Sequence, residues 1–150
     1  MAKILIIDDD PLVCKSLSRL FIDLGHDVTR AGNLAEGRSE AEKGVDIIYL
    51  DLDLPDGDGL KAIDLLAAGP GNPEVIVITG MGSSYGARKT LESNAWDYLS
   101  KPASPQMVMN SLQSALDYRK EAKKELTATS AFDRAGIIGE SNAMQRTRLR

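Results

Sequence analysis

Ile4-Leu5-Ile6-Ile7-Asp8-Asp9-Asp10 decides the fold: four aliphatic residues, three of them β-branched, break off abruptly into three acids. A short apolar run without alternation is the pattern of a strand buried on both faces. Comparable runs stand at Ile47–Leu50, ending at Asp51, and at Val75–Ile78, ending at Thr79. Weaker strand signals lie at Asp27–Arg30, after Gly25, and at Trp96–Leu99, before Lys101 and Pro102. Between them apolar residues recur at helical spacing: Val13, Leu17, Leu20, Phe21 and Leu24, then Leu60, Ile63, Leu65 and Leu66, then Val108, Leu112, Ala115 and Leu116. Leu34–Glu42 and Ser84–Ser93 also fit helices, each weakened by a glycine, Gly37 and Gly86. Strand and helix alternate throughout, which predicts an α/β fold with a parallel five-stranded sheet, right-handed crossovers and helices on both faces.

The chain has 150 residues, enough for one domain and a short extension, and its 43% hydrophobic content can build a core without disulfides or a structural metal. Its 18 basic and 22 acidic side chains leave a net charge of −4, which disfavours direct binding to nucleic acid or to an anionic membrane. Cys14 is the sole cysteine and reads as a small, half-buried helix residue; a reducing cytoplasm suits it. The four-residue apolar run near the N-terminus is too short for a signal peptide or a membrane span. The sole histidine, His26, reads as a solvated turn residue beside Gly25.

Parallel α/β sheets carry their functional loops at the carboxyl ends of the strands, so the polar residues ending these runs share one edge. They are Asp8 and Asp9, Asp51, Thr79 and Lys101. An aspartate after a strand is ordinarily a turn residue or a helix cap, and only the joint placement is informative. Three ionised carboxylates close together repel one another unless a cation is present or one takes up a proton. Oxygen donors without a histidine or cysteine set suit Mg²⁺ rather than zinc. Lys101 and the Thr79 hydroxyl would hold further anionic oxygens, so the inferred ligand is a phosphoryl group, and an aspartate would itself be its acceptor.

Four segments in order carry a resemblance: Ile-Leu-Ile-Ile-Asp-Asp-Asp at 4–10, Tyr-Leu-Asp-Leu-Asp-Leu-Pro-Asp-Gly-Asp-Gly-Leu at 49–60, Val-Ile-Val-Ile-Thr-Gly at 75–80 and Asp-Tyr-Leu-Ser-Lys-Pro at 97–102. Over residues 1–122 the chain resembles the receiver domain of a bacterial two-component response regulator. The resemblance implies a flavodoxin-like (βα)5 fold with strand order 2-1-3-4-5. It implies Asp51 as phosphoacceptor, Asp8, Asp9 and Asp51 as Mg²⁺ ligands with the Asp53 backbone carbonyl, and Thr79 and Lys101 as contacts to the phosphoryl group. Tyr98 matches the aromatic switch residue, moving together with Thr79, and a cis Lys101-Pro102 bond is implied as well. The output face would then comprise the helix at 84–93, the Tyr98 strand and the final helix. Phosphate would come from a cognate histidine kinase, with no other enzymatic activity than Mg²⁺-dependent self-phosphorylation and self-dephosphorylation. The family usually has glycine where Asn94 stands, a residue that tolerates a left-handed backbone. Trp96, where the family is usually small or polar, reads as edge packing.

The final helix is expected to run past the domain, because Asp117–Leu126 is strongly helix-forming with little apolar surface. Val108, Leu112, Ala115, Ala122 and Leu126 approximate an a/d heptad broken by Arg119, which fits either a coiled-coil homodimer or a solvated helical linker. Residues 123–135 are assigned as that linker, with a flexible joint from Thr127 to Ala135. Gly136–Met144 resembles the opening of the AAA+ module of sigma-54-dependent transcriptional activators, so residues 136–150 read as the truncated start of such a domain, with a DNA-binding domain expected beyond it. No Walker A motif occurs in the 150 residues. Two rival functions remain open: a haloacid-dehalogenase-type Mg²⁺-dependent phosphatase using Asp51-Leu52-Asp53, although the motif order is wrong for it, and a degenerate, phosphate-independent interaction module.

Overall fold

The aliphatic runs become the strands of a single parallel sheet in a computed structural model that describes residues 1–80 and 93–134, with side chains through 122. The elements are β1 (Lys3–Ile7), α1 (Pro11–Asp23), β2 (Asp27–Ala31), α2 (Leu34–Ala41), β3 (Ile47–Leu50), β4 (Asp53–Leu54), β5 (Gly57–Asp58), α3 (Gly59–Ala67), β6 (Glu74–Thr79), β7 (Ala95–Ser100) and α4 (Pro105–Arg134). The five main strands are ordered β2-β1-β3-β6-β7 and all pair in parallel. With the two-residue hairpin β4-β5 set aside, that is the expected 2-1-3-4-5 order. The helix expected at 84–93 lies largely outside the described residues, as does the 136–150 segment.

Alternation along each strand divides the core into two layers. Ile4, Ile6, Tyr49, Ile76 and Ile78 face α1 and α4, where they meet Leu17, Phe21, Val108, Leu112 and Ala115. Leu5, Ile7, Ile48, Leu50, Val75 and Val77 face α2 and α3, against Ala41, Ile63 and Leu66. β3 and β6 are buried along their whole length, which is why their sequences show no polar alternation. Gly37, which weakens α2 by propensity, lets that helix approach β1: a Cβ there would meet Ile7 Cδ1 at 2.5 Å.

Several local expectations need correction. Val108, Leu112 and Ala115 are not a dimer seam, because all three are buried in the domain's own core. Arg119 reaches back to the base of the sheet, where its guanidinium bonds Asp46 Oδ1 at 3.1 Å and the carbonyls of Gly71 and Asn72 at 3.1 and 2.9 Å. α4 is continuous through Arg134, so the stretch expected as a flexible joint is helical up to that residue. His26 is half-buried rather than solvated, and its Nδ1 accepts the Ala2 N–H at 3.0 Å. Asn94 is not left-handed; Asn72, at φ 46°, is the non-glycine residue with that geometry among the described residues. Cys14 is fully rather than half buried, and Leu24 and Leu65 are about half exposed. Trp96 does pack at the edge: it is buried, stacks on Tyr118 of α4 at 4.7 Å and donates Nε1–H to Ser114 Oγ at 3.0 Å.

Candidate functional site

The sheet positions the acidic edge by extending its hydrogen-bond ladder one residue past each strand. Asp8 N–H donates to Ala31 O at 3.0 Å, Asp51 N–H to Ile7 O at 2.9 Å and Lys101 N–H to Thr79 O at 2.9 Å. These three side chains are therefore set by rigid strands and not by loop conformation. The Lys101-Pro102 peptide that follows is cis.

Asp8 and Asp51 are almost wholly buried, at 2% and 4% exposure, while Asp9 is open to solvent. One carboxylate oxygen from each of Asp8, Asp9 and Asp51 lies within 4.8 Å of the others. Lys101 Nζ bridges the two buried acids, 2.8 Å from Asp8 Oδ2 and 3.2 Å from Asp51 Oδ2. The remaining oxygens are held by backbone: Asp10 N–H donates to Asp8 Oδ1 at 2.9 Å and Asp53 N–H to Asp51 Oδ1 at 3.1 Å. Burial pushes the Asp8 carboxyl above its ordinary pKa, with the Asp51 charge adding to this, while Lys101 and the Asp10 N–H pull against it. Burial alone would lower the Lys101 pKa, but the two aspartates outweigh it and hold the ammonium firmly charged. Three carboxylates against one ammonium leave excess negative charge in a half-buried setting, and the donors are all oxygen. Such a set fits a hard divalent cation and offers nothing to a soft one.

Thr79 ends β6 fully buried, and alternation places it on the α2–α3 side of the sheet with Val75 and Val77. Tyr98 pairs with Val77 across the β6–β7 ladder and packs, half-buried, against that same layer. Asp53 has an exposed side chain and reaches the site through its backbone. The close approach of α3 limits that loop: a Cβ on Gly59 would lie 2.7 Å from both Asp51 O and Leu52 Cα.

Four further residues support the site; the sequence offers Asp56 or Asp58 as the cap of the helix holding Leu60 and Ile63 and Cys14 only as a helix residue. Asp10 caps α1 by accepting the Leu12 N–H at 2.9 Å, with Pro11 beginning the helix, a local signature that was legible. Cys14 Sγ donates to Asp8 O at 3.2 Å. Asp58 caps α3, whereas Asp56 turns the other way and accepts the N–H groups of Leu34 and Ala35 at 2.8 and 3.0 Å, tying the loop after Asp51 to the start of α2. No local signal marks a contact that spans more than twenty residues.

Comparison with known proteins agrees with this architecture. A family model described as the response regulator receiver domain matches residues 4–113. The transcriptional regulatory protein ZraR of Salmonella typhimurium is 31% identical over 144 residues, covering 95% of this chain and 32% of that protein. The DNA-binding transcriptional regulator NtrC of Azospirillum brasilense is 30% identical over 146 residues, covering 96% and 30%. The chain thus spans about a third of the length of these curated relatives. Among solved structures, a CheY-like receiver domain from Methanospirillum hungatei superposes with a TM-score of 0.77 at 24% identity, covering 81% of this chain and 98% of that one. The beryllofluoride-activated NtrC4 receiver domain, solved as a dimer, gives 0.73 at 31% identity, covering 78% and 98%. With the family model spanning most of the chain, and the sheet order and acidic edge in agreement, the chain belongs to the response regulator receiver family of two-component signalling systems.

Proposed function

We infer that Asp51 is the phosphoacceptor of a signalling switch. The observation that carries this is the Asp51 carboxylate itself, buried at a strand end with one oxygen on Lys101 and the other on the Asp53 N–H, beside Asp8 and Asp9. Held at both oxygens, the carboxylate has little rotational freedom left to lose on reaction. An Asp51 oxygen attacks phosphorus; the P–N bond of a phosphohistidine breaks, and its electron pair returns to the donor imidazole, which takes up a proton. Lys101 stabilises negative charge on the transferring oxygens, and the Thr79 hydroxyl donates to one of them. Mg²⁺, held by Asp8, Asp9, Asp51 and the Asp53 carbonyl, would supply charge neutralisation for the phosphoryl oxygens. Attack of water on phosphorus breaks the P–O bond to Asp51, releasing inorganic phosphate and returning the free carboxylate, and this self-phosphorylation and self-dephosphorylation is the catalysis we assign to the chain.

Several further readings follow from the relatives. A histidine kinase is the donor, a second receiver the partner in a homodimer, and a transcriptional output of the sigma-54-dependent type the response, with AAA+ and DNA-binding domains in the full-length chain. ZraR and NtrC, matched over nearly the whole of this chain, support that output, and the dimer formed by the activated NtrC4 receiver supports the assembly. None of the described helices is long and apolar enough to cross a membrane, and a cytoplasmic location suits these partners. The phosphatase alternative gains no support from the family match.

The test is the intact mass of the protein with time after adding Mg²⁺ and a small phosphodonor. A single adduct, lost slowly and absent from Asp51→Asn, is the expected result. Undiminished labelling of that variant would move the acceptor elsewhere, rapid turnover of phosphomonoesters would revive the phosphatase, and no adduct on the parent would make the chain a phosphate-independent module.

A further inference from the structure

The loop that follows Asp51 is too small to hold its own shape. Its regular structure is the hairpin β4-β5, two residues a strand, with Asp53 paired to Asp58 and Leu54 to Gly57. A lone two-stranded hairpin is marginally stable at best in water, so this one takes its position from what it touches. Asp53, at its first position, donates its N–H to Asp51 Oδ1 and carries the carbonyl that the phosphoacceptor reading gives to Mg²⁺. At the base Gly59 lies against Asp51 and Leu52, and Leu54 is buried in the α2–α3 layer. At the tip Asp56 crosses to α2.

An exposed aspartate in a turn is ordinarily a solvated residue or the cap of its own helix, and Asp56 is neither. Its two oxygens accept the N–H groups of Leu34 at 2.8 Å and Ala35 at 3.0 Å, 22 and 21 residues earlier in the chain. These two bonds hold the carboxyl below its ordinary pKa, so it acts as the carboxylate. α2 already has a local capping box: Asn33 Oδ1 accepts the Glu36 N–H at 2.8 Å, and Glu36 Oε1 accepts the Gly32 N–H at 3.2 Å. What Asp56 adds is a tether between hairpin and helix. Beside it, a Cβ on Gly57 would stand 2.8 Å from Leu34 Cδ1, so the tip and the start of α2 are close in apolar contact too. α2 in turn is seated on β1 through Gly37 and Ile7, the residue before Asp8.

We propose that Asp56 is a positioning residue for the phosphoacceptor site: by clamping the hairpin tip to α2, it sets the Asp53 backbone in register with Asp8 and Asp9 on the β1 side, so that the two halves of the cation site keep their spacing. The proposal rests on the phosphoacceptor reading. Asp56 touches neither cation nor phosphoryl group and acts through Asp53. Without it the hairpin can lift at its tip, while Asp51 stays on the ladder of β3 and β1. The loss therefore falls on Mg²⁺ binding before it falls on phosphoryl transfer.

The experiment compares Asp56→Ala with Asn33→Ala. Each removes a hydrogen-bond acceptor from the first turn of α2, but only the first parts that helix from the hairpin. In the metal-free protein, amide hydrogen exchange should quicken at Leu34, Ala35 and Asp53 in Asp56→Ala, and at Glu36 but not Asp53 in Asn33→Ala. Calorimetric titration with MgCl₂ should show binding about tenfold weaker in Asp56→Ala, the lower end of what groups behind a metal ligand are worth, and unchanged in Asn33→Ala. Asp56→Asn, which keeps one acceptor oxygen, should fall between Asp56→Ala and the parent. Labelling by a small phosphodonor, followed by intact mass, should be slow in Asp56→Ala at low Mg²⁺ and return to the parent rate at saturating Mg²⁺. A residue that merely stabilises α2 would not produce that pattern. The proposal is overturned by parent-like Mg²⁺ affinity in Asp56→Ala, by an equal loss in Asn33→Ala, by unchanged exchange at Asp53, or by a labelling rate that saturating Mg²⁺ does not restore. A parent that binds no Mg²⁺ or is labelled away from Asp51 overturns the phosphoacceptor reading and this proposal with it, whereas a normal parent matched by Asp56→Ala overturns this proposal alone.

Discussion

Gly59→Ala tests whether the loop carrying Asp51 is held by the close approach of α3. By propensity the change should help, since alanine is favoured over glycine in a helix by up to about 1 kcal/mol. The structure predicts the opposite sign. The added Cβ would stand 2.7 Å from Asp51 O and 2.7 Å from Leu52 Cα, where ordinary contact begins at 3.4 Å. Both neighbours are backbone, so neither can swing aside; the start of α3 and the Asp51–Leu52 segment must part by about 0.7 Å, the difference between those two distances. Overpacking of this kind costs typically about 1–3 kcal/mol, enough to outweigh the propensity gain. The same displacement moves the Asp51 carboxylate against Lys101 and the Asp53 N–H. Misplacement on the scale of 1 Å can cost about 100-fold in rate, so roughly tenfold slower phosphorylation is expected here. Urea denaturation gives the first quantity and time-resolved intact mass with a small phosphodonor the second. Gly32→Ala is the control, because a Cβ there meets nothing within 4 Å and its φ is not positive. Were Gly59→Ala as stable as Gly32→Ala and labelled at the parent rate, the α3 contact would not position the acceptor loop.

Asp9→Ala removes the solvent-open member of the acidic group and should weaken Mg²⁺ binding by at least roughly tenfold in a calorimetric titration, since even groups behind a metal ligand are worth that much; unchanged affinity would defeat the assignment. His26 has its pKa lowered, first by burial and then by the N-terminal ammonium, so the fold prefers the neutral ring that accepts the Ala2 N–H. Its contribution to stability is present above the unfolded value of 6.5 and is lost as pH falls through the lower folded value. The parent should therefore lose more stability than His26→Asn between about pH 7.5 and 5.5, and parallel losses by urea denaturation would refute this. Trp96→Phe keeps a ring against Tyr118 but loses the bond to Ser114, and should cost about 1–2 kcal/mol by urea denaturation; no loss would mean that α4 is not anchored there.

The parts of the fold that the sequence made legible are those fixed by burial. β3 matches its aliphatic run residue for residue, and β1 and β6 extend theirs by one polar residue at an end or at both, because the middle of a strand covered on both faces is aliphatic. Asp8, Asp9, Asp51 and Lys101 were legible as a group for a topological reason: strand ends in a parallel sheet meet at one edge whatever the loops do. Residues whose partners are remote in sequence were not legible. Asp56 looks like a local turn or cap residue, and only the folded chain shows it capping α2. His26 beside a turn glycine reads as solvated until Ala2 is brought against it.

The tail shows why spacing alone could not separate a dimer seam from a core face. Over the two turns from Val108 to Ala115, periods of 3.5 and 3.6 residues select the same positions, so a heptad and an amphipathic core helix look alike. The inner layer of the sheet decides between them: Tyr49 O–H donates to the Val108 carbonyl at 3.3 Å, Asp97 accepts from Ser111 at 3.0 Å, and Leu112 and Ala115 are buried against the strands. Arg119, which breaks the heptad, fastens the helix to Asp46 and to the turn at Gly71 and Asn72. The inner face of α4 is thus consumed by the domain itself through Arg119. A homodimer that uses this part of the helix must draw on the opposite face, where Met107 is 48% exposed and Asn110, Gln113 and Asp117 are open to solvent.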